Sequence, residues 1–182
     1  MRSFCFPLVL FVLELAACKH KSSPAIATGE PNANAPAAAS VLLSSIKMSD
    51  PAAEPQLVRG FYGVESGSWR WTASKFAVTL HAPEGSAQTG ATLQFRFSLP
   101  EVIVNKVGPV TLSASVNGTA LPPQTYSKPG EYTYTAPVPA TALSTGTVSA
   151  EFATNKAMPP ANGDKRELAL VAVSVGLSSL SK

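Results

Sequence analysis

Apolar residues fall at every second position through much of this chain. Phe76, Val78 and Leu80 alternate with Ala77, Thr79 and His81. Leu93, Phe95, Phe97 and Leu99 alternate with Thr92, Gln94, Arg96 and Ser98, and Val110, Leu112, Ala114 and Val116 alternate with Thr111, Ser113, Ser115 and Asn117. A period of two sends successive side chains to opposite faces, so each stretch predicts an antiparallel strand with one face buried. Shorter strands are predicted at 57–62, 69–72, 102–104, 132–135 and 148–152. Residues 167–177 are apolar on nearly both faces, which fits a central strand covered on both sides or a buried helix, and their valines with Gly176 favour the strand. Turn residues separate the runs: Gly63 to Gly67, Pro83 to Gly90, Gly108 with Pro109, a proline-rich loop before Gly130, and Pro159 with Pro160. Asn117 and Gly118 both tolerate positive φ and predict a tight hairpin. The sum is an all-β fold, an antiparallel sandwich or barrel of eight or nine strands without a helix, whose strand order does not follow from spacing.

The first third of the chain has another pattern. Residues 4–13 form an apolar run behind Arg2, broken by Pro7 and followed by Glu14, Leu15, Ala16, Ala17 and Cys18. A spanning helix needs about 20 apolar residues, so this run predicts a signal peptide instead. Leu15, Ala16, Ala17 and Cys18 resemble the lipobox of bacterial lipoproteins. That resemblance implies cleavage after residue 17, a diacylglycerol and fatty acyl chains such as palmitate on Cys18, and export to a membrane. Lys19 after the cysteine implies sorting to the outer membrane where the host has one. Glu14 departs from an apolar leader, but at its boundary the carboxylate reaches headgroups or is neutralised. Each buried methylene adds about 0.8 kcal/mol, so two or three acyl chains anchor durably where one does not.

Residues 18–55 are rich in Ala, Pro, Ser and Asn and bury too little apolar surface to offset their ordering entropy. They predict a tether that, as a coil, spans roughly 35 Å. Val41 to Ile46 interrupts it and predicts a short helix or a strand docked on the domain. The sandwich is expected over 56–178 and a tail over 179–182.

Composition narrows the function classes. With 16 prolines and 12 glycines in 182 residues, turns outnumber long helices, and one core is expected. The net charge is +3 with Lys and Arg scattered singly, so a nucleic-acid partner lacks the clustered basic face it needs. Cys5 lies in the leader, which leaves Cys18 as the one thiol of the mature chain and no internal disulfide. No cofactor or metal is indicated: His20 has no companion at ligand spacing, and no cluster of His, Cys and carboxylates follows.

One constellation has the ingredients of a recognition site: Tyr62, Glu65, Trp69, Arg70 and Trp71, with the later Asp164 and Arg166. Aromatic faces stack on sugar rings while carboxylates and guanidinium groups bond the hydroxyls. The same residues also fit plain packing, with Trp69 and Trp71 in the core and Arg70 on the opposite face pairing with Glu65 or Asp164. Val116, Asn117 and Gly118 followed by prolines and Gly130 resemble galactose-binding-like jelly rolls. Gly60 to Glu65, Trp69 to Thr72, and Asp164 with Arg166, Glu167 and Leu168 resemble accessory sandwiches of bacterial envelope proteins and glycosyltransferases. This likeness spans about 57–177 and departs at Leu168 and Ala169, where a Leu-Gly pair is more typical.

Catalysis is not expected. His81 sits on the polar side of its strand, the carboxylates form no pair that spacing singles out, and no Gly-x-Ser-x-Gly elbow is present. The sequence therefore leads to a lipid-anchored envelope sandwich that acts by binding, with glycan as its partner. The alternative is an assembly lipoprotein that binds another envelope protein through an exposed strand edge. An envelope hydrolase would require Glu65 or His81 in a concave pocket.

Overall fold

The computed structural model describes residues 42–180. The leader, Cys18 and most of the expected tether lie outside the described residues. The strands are β1 (Ser45–Lys47), β2 (Leu57–Glu65), β3 (Trp69–His81), β4 (Ala91–Leu99), β5 (Val110–Val116), β6 (Thr119–Tyr126), β7 (Gly130–Val138), β8 (Thr147–Thr154) and β9 (Val171–Ser179). Two short helices join them, α1 (Ser86–Thr89) and α2 (Glu101–Val107).

Every pairing between these strands is antiparallel, in the order β6-β5-β8-β3-β9-β4-β7, with β1 on β9 and β2 on β3. The 13-residue β3 turns one sheet into two layers. Its later part, Lys75 to His81, pairs with β8, while Arg70 and Trp71 pair with β9. The inward residues of the two layers then face each other. Phe76 of β3 stacks on Phe152 of β8 at 5.0 Å and meets Phe95 of β4 at 5.4 Å, and Phe95 stacks on Phe97 at 4.9 Å. The fold is an antiparallel β-sandwich, one of the two architectures that the alternation allows. The last apolar run supplies a central strand as expected, but β9 begins only at Val171 and one of its faces is partly open, so it is not covered on both sides.

Four stretches differ from the sequence reading. Residues 102–104 belong to α2, not to a strand: Pro100 is its N-cap, Glu101 favours its first turn, Ile103 is buried, and Gly108 ends it at φ 76°. Residues 86–89 of a predicted loop form α1. The proline-rich loop is β6, where Pro122 and Pro123 are tolerated because the strand lies at the end of its layer. Tyr134 Oη donates to the Pro122 carbonyl at 2.9 Å and Gln124 Nε2 to that of Thr135 at 3.2 Å, so side chains tie β6 to β7 across the layers.

The fourth is the boundary expected at residue 56. Residues 42–55 pack on the sandwich: Ile46 and Met48 are buried in its core, and 3-10 helix Pro51–Gln56 leads into β2. The docked strand expected from Val41 to Ile46 is β1, paired with β9, and a glutamine ties the rest of the arm down. Buried Gln56 donates through Nε2 to the carbonyls of Leu43 (2.9 Å) and Thr79 (2.7 Å), and its Oε1 accepts from the Leu43 N–H (2.9 Å).

Gly60 shows why β2 follows β3 with breaks in register. It sits at φ 76° between the pairs Arg59–Ala77 and Phe61–Thr72, and a Cβ there would lie 2.1 Å from the Lys75 carbonyl oxygen. Only glycine fits both the left-handed backbone and that close approach.

Candidate functional site

Six of the seven residues singled out from sequence come together on the outer side of β2 and β3. Opposed residues of an antiparallel pair project to the same face, so Glu65, opposite Trp69, shares a face with Trp69 and Trp71. The indole rings meet edge to face, with centroids 6.2 Å apart and planes at 87°. Both are half-buried, Trp71 packing against the margin of the core.

Arg166 gathers the remaining members. Its Nε donates to both Asp164 carboxylate oxygens (3.0 and 3.2 Å), its Nη2 to Asp164 Oδ2 (2.9 Å) and its Nη1 to Glu65 Oε1 (2.6 Å). Its guanidinium carbon lies 5.4 Å from the centre of the Tyr62 ring, within cation–π range. Tyr62 Oη in turn donates to the Glu167 carbonyl at 2.9 Å. Residues 164–167 are thereby clasped onto β2. The clasp consumes much of the donor capacity of Arg166 but leaves Glu65 and Asp164 each more than a third exposed, with lone pairs toward solvent.

Hydrogen bonds from the Arg166 side chain, then from its backbone N–H, hold the Asp164 carboxyl below the usual carboxylate range. A carboxyl depressed in the folded state adds stability that is complete above its unfolded pKa and disappears as pH falls through the lower folded value. Asp164→Asn imitates the protonated group. Its melting temperature is therefore expected below that of the native protein near neutrality, with the gap shrinking below about pH 4. A gap of constant size across that range would contradict the clasp.

Arg70 does not join the cluster. It points to the inner side of β3, is 7% exposed, and donates to the Met48 carbonyl (3.0 Å), the Tyr62 carbonyl (3.2 Å) and Glu54 Oε2 (2.6 Å). The expected pairing of Arg70 with Glu65 or Asp164 is thus replaced by Glu54, and Arg166 takes those two carboxylates. His81 is exposed at the far end of β3, twelve residues along the strand from Trp69, so it shares no site with Glu65. Among the described residues no group of three His, Cys, Asp or Glu side chains is placed to hold a metal ion.

Spacing alone did not reveal two surface clefts. One, of about 290 Å³, lies among Arg96, Phe97, Glu131, Tyr132, Thr133 and Val173 of β4, β7 and β9. The other, of about 420 Å³, has Ala153, Ser113 and Ser115 among its small lining residues, with Arg59, Lys75 and Glu151 around it. Both depend on register between strands distant in sequence.

The fold and this cluster together define a β-sandwich with an aromatic and charged outer face. No family model matches the sequence, and no curated protein matches it. Among solved structures the chain is similar to an acetyl xylan esterase from the rumen bacterium Butyrivibrio proteoclasticus (TM-score 0.44, 12% identity, 78% of this chain and 35% of that one). It is also similar to a family 35 carbohydrate binding module from Clostridium thermocellum (0.40, 13%, 74% and 98%). A third is the CBM36-1 domain of a multidomain xylanase from the hindgut metagenome of Trinervitermes trinervoides (0.37, 14%, 75% and 98%). The chain spans about a third of the esterase's length. At these scores and identities the likenesses carry no functional argument.

Proposed function

We propose that this chain is an exported, lipid-anchored protein that works by binding carbohydrate of the cell envelope through the face bearing Trp69 and Trp71. The observation that carries this reading is the position of the two indoles. They stand half-buried on the outer side of β3, beside the solvent-facing carboxylates of Glu65 and Asp164, and not in the aromatic core around Phe76. An apolar ring face next to hydrogen-bonding groups is what a sugar's apolar face and hydroxyls require. The anchor rests on the resemblance of Leu15 to Cys18 to a lipobox.

A second reading, an assembly protein that pairs its strand edge with a partner chain, has β2 in its favour, where Val58 and Val64 are 56% and 40% exposed. Three register shifts along β2 work against it, because bulges blunt an edge.

A glycan array probed with the native protein and with Trp69→Ala and Trp71→Ala tests the first reading. Retained glycans that both variants lose, with melting temperatures within a few degrees of native, are expected. Absence of any bound glycan, or variants that unfold without a binding phenotype, would remove it.

A further inference from the structure

The Trp71 face does not end at β3. Trp71 is opposite Val171 on β9, Val171 opposite Ser98 on β4, and Ser98 opposite Glu131 on β7, so these four side chains form one row across four strands. A second row crosses the same face beside it. Lys47 on β1 is opposite Ser174 on β9, Ser174 opposite Arg96 on β4, and Arg96 opposite Thr133 on β7. The rows are offset by a break in register on β9, where Val173 stands between the two pairings, and the 290 Å³ cleft opens there among Arg96, Glu131, Thr133 and Val173.

Lys47 and Arg96 share one row of this face, while its carboxylates stand elsewhere on it: Glu131 opposite Ser98, and Glu65 and Asp164 bonded to Arg166 beside Trp69. Lys47 and Arg96 are both exposed and flank Ser174, about 10 Å apart at two strand spacings. Among the described residues neither takes part in an ion pair, whereas the arginines at 59, 70 and 166 all do. Two unneutralised cations beside a cleft, with an indole and two valines on the neighbouring positions and serine and threonine hydroxyls between them, complement a chain that has apolar ring faces, hydroxyls and carboxylates.

We propose that the cleft and the Lys47–Arg96 row extend the Trp71 face into one groove, and that the groove takes an acidic oligosaccharide, one whose sugar units carry carboxylates. The inference rests on the reading of the Trp face as a carbohydrate site and adds the ligand's charge and its path. The sugar ring seated on Trp71 is held by stacking, and the chain runs across β9 toward β4. Lys47 and Arg96 each meet a carboxylate, and the hydroxyls of Ser174 and Thr133 meet the ring hydroxyls. Glu131, at the far end of the Trp71 row, repels a further carboxylate and so limits the acidic part of the ligand to the Lys47 side of the cleft.

Oligogalacturonate and its methyl ester separate charge from shape, because esterification removes the carboxylate charges and keeps the ring. Titration of the full chain, read by the emission of Trp69 and Trp71, is expected to show the acid bound about tenfold more tightly than the ester. The preference should weaken as salt is raised from about 0.01 to 0.15 M. Lys47→Gln and Arg96→Gln are each expected to weaken binding of the acid by about two- to five-fold, the range of an exposed ion pair, and to leave the ester unaffected. Both positions are exposed, so melting temperatures should stay near native.

Equal binding of acid and ester, or a double variant that binds the acid as the native protein does, would overturn the proposal. Binding of neutral glycans alone would overturn it while leaving the broader carbohydrate reading intact, and binding of no glycan would overturn both. Attachment of the full chain carrying Cys18→Ser to anionic phospholipid vesicles, lost on Lys47→Gln with Arg96→Gln, would assign the cation row to a membrane surface and overturn it as well.

Discussion

Replacing Phe76 with alanine is expected to lower stability by about 3–5 kcal/mol, the usual range for removing a fully buried phenylalanine. Through its aromatic pairs this residue links β3 to β2, β8 and β4. Phe76 is fully buried, and its ring contacts Phe61 of β2 (5.4 Å), Phe152 of β8 (5.0 Å) and Phe95 of the facing layer (5.4 Å). The cavity left behind borders rings from both layers, which cannot all collapse into it. For a body of this size the loss corresponds to a fall of roughly 10–20 °C in melting temperature, measurable by calorimetry. A change below about 1 kcal/mol would show that the two layers are not joined at this residue.

Arg70→Met has a comparable expected effect, about 2–5 kcal/mol, for a different reason. Methionine fills similar space but donates nothing, so the carbonyls of Met48 and Tyr62 lose their buried donor. Hydrogen exchange at residues 44–48 should accelerate more than exchange in β4 or β8, because the guanidinium holds the arm that leads into β2. Glu54→Gln should cost under about 1 kcal/mol, since that carboxylate is 64% exposed and water replaces its partner. A stable Arg70→Met protein with impaired ligand binding would instead return Arg70 to the recognition face.

The contrast between Arg70 and Arg166 shows how far the sequence could be read. Period two placed Trp69 and Trp71 on one face and Arg70 on the other, and this is how they stand. Which face lay inward depended on β9 and on the arm at 42–56, which docks through β1, through buried Ile46 and Met48 and through the hydrogen bonds of Gln56 and Arg70 to residues far away in sequence. The strands of clearest alternation, β4 and β5, were legible because burial of one face fixes both period and type. Residues 102–104 were not, since a three-residue apolar run fits a strand as well as one turn of a helix, and the capping by Pro100 and Gly108 decides between them. Lys47, Ser174 and Arg96 meet only through register between strands far apart in sequence, and no spacing rule could have brought them together.

The chain has two tryptophans, and both lie on the proposed recognition face. Tryptophan emission, excited where the tyrosines do not absorb, therefore reports on that face alone. In a titration of the native protein with the polysaccharides it retains on an array, ligand binding is expected to shift the emission and to protect the indoles from quenching by acrylamide. Binding confirmed by sedimentation with the polysaccharide, but with emission and quenching unchanged at saturation, would place the ligand elsewhere on the sandwich and contradict the account.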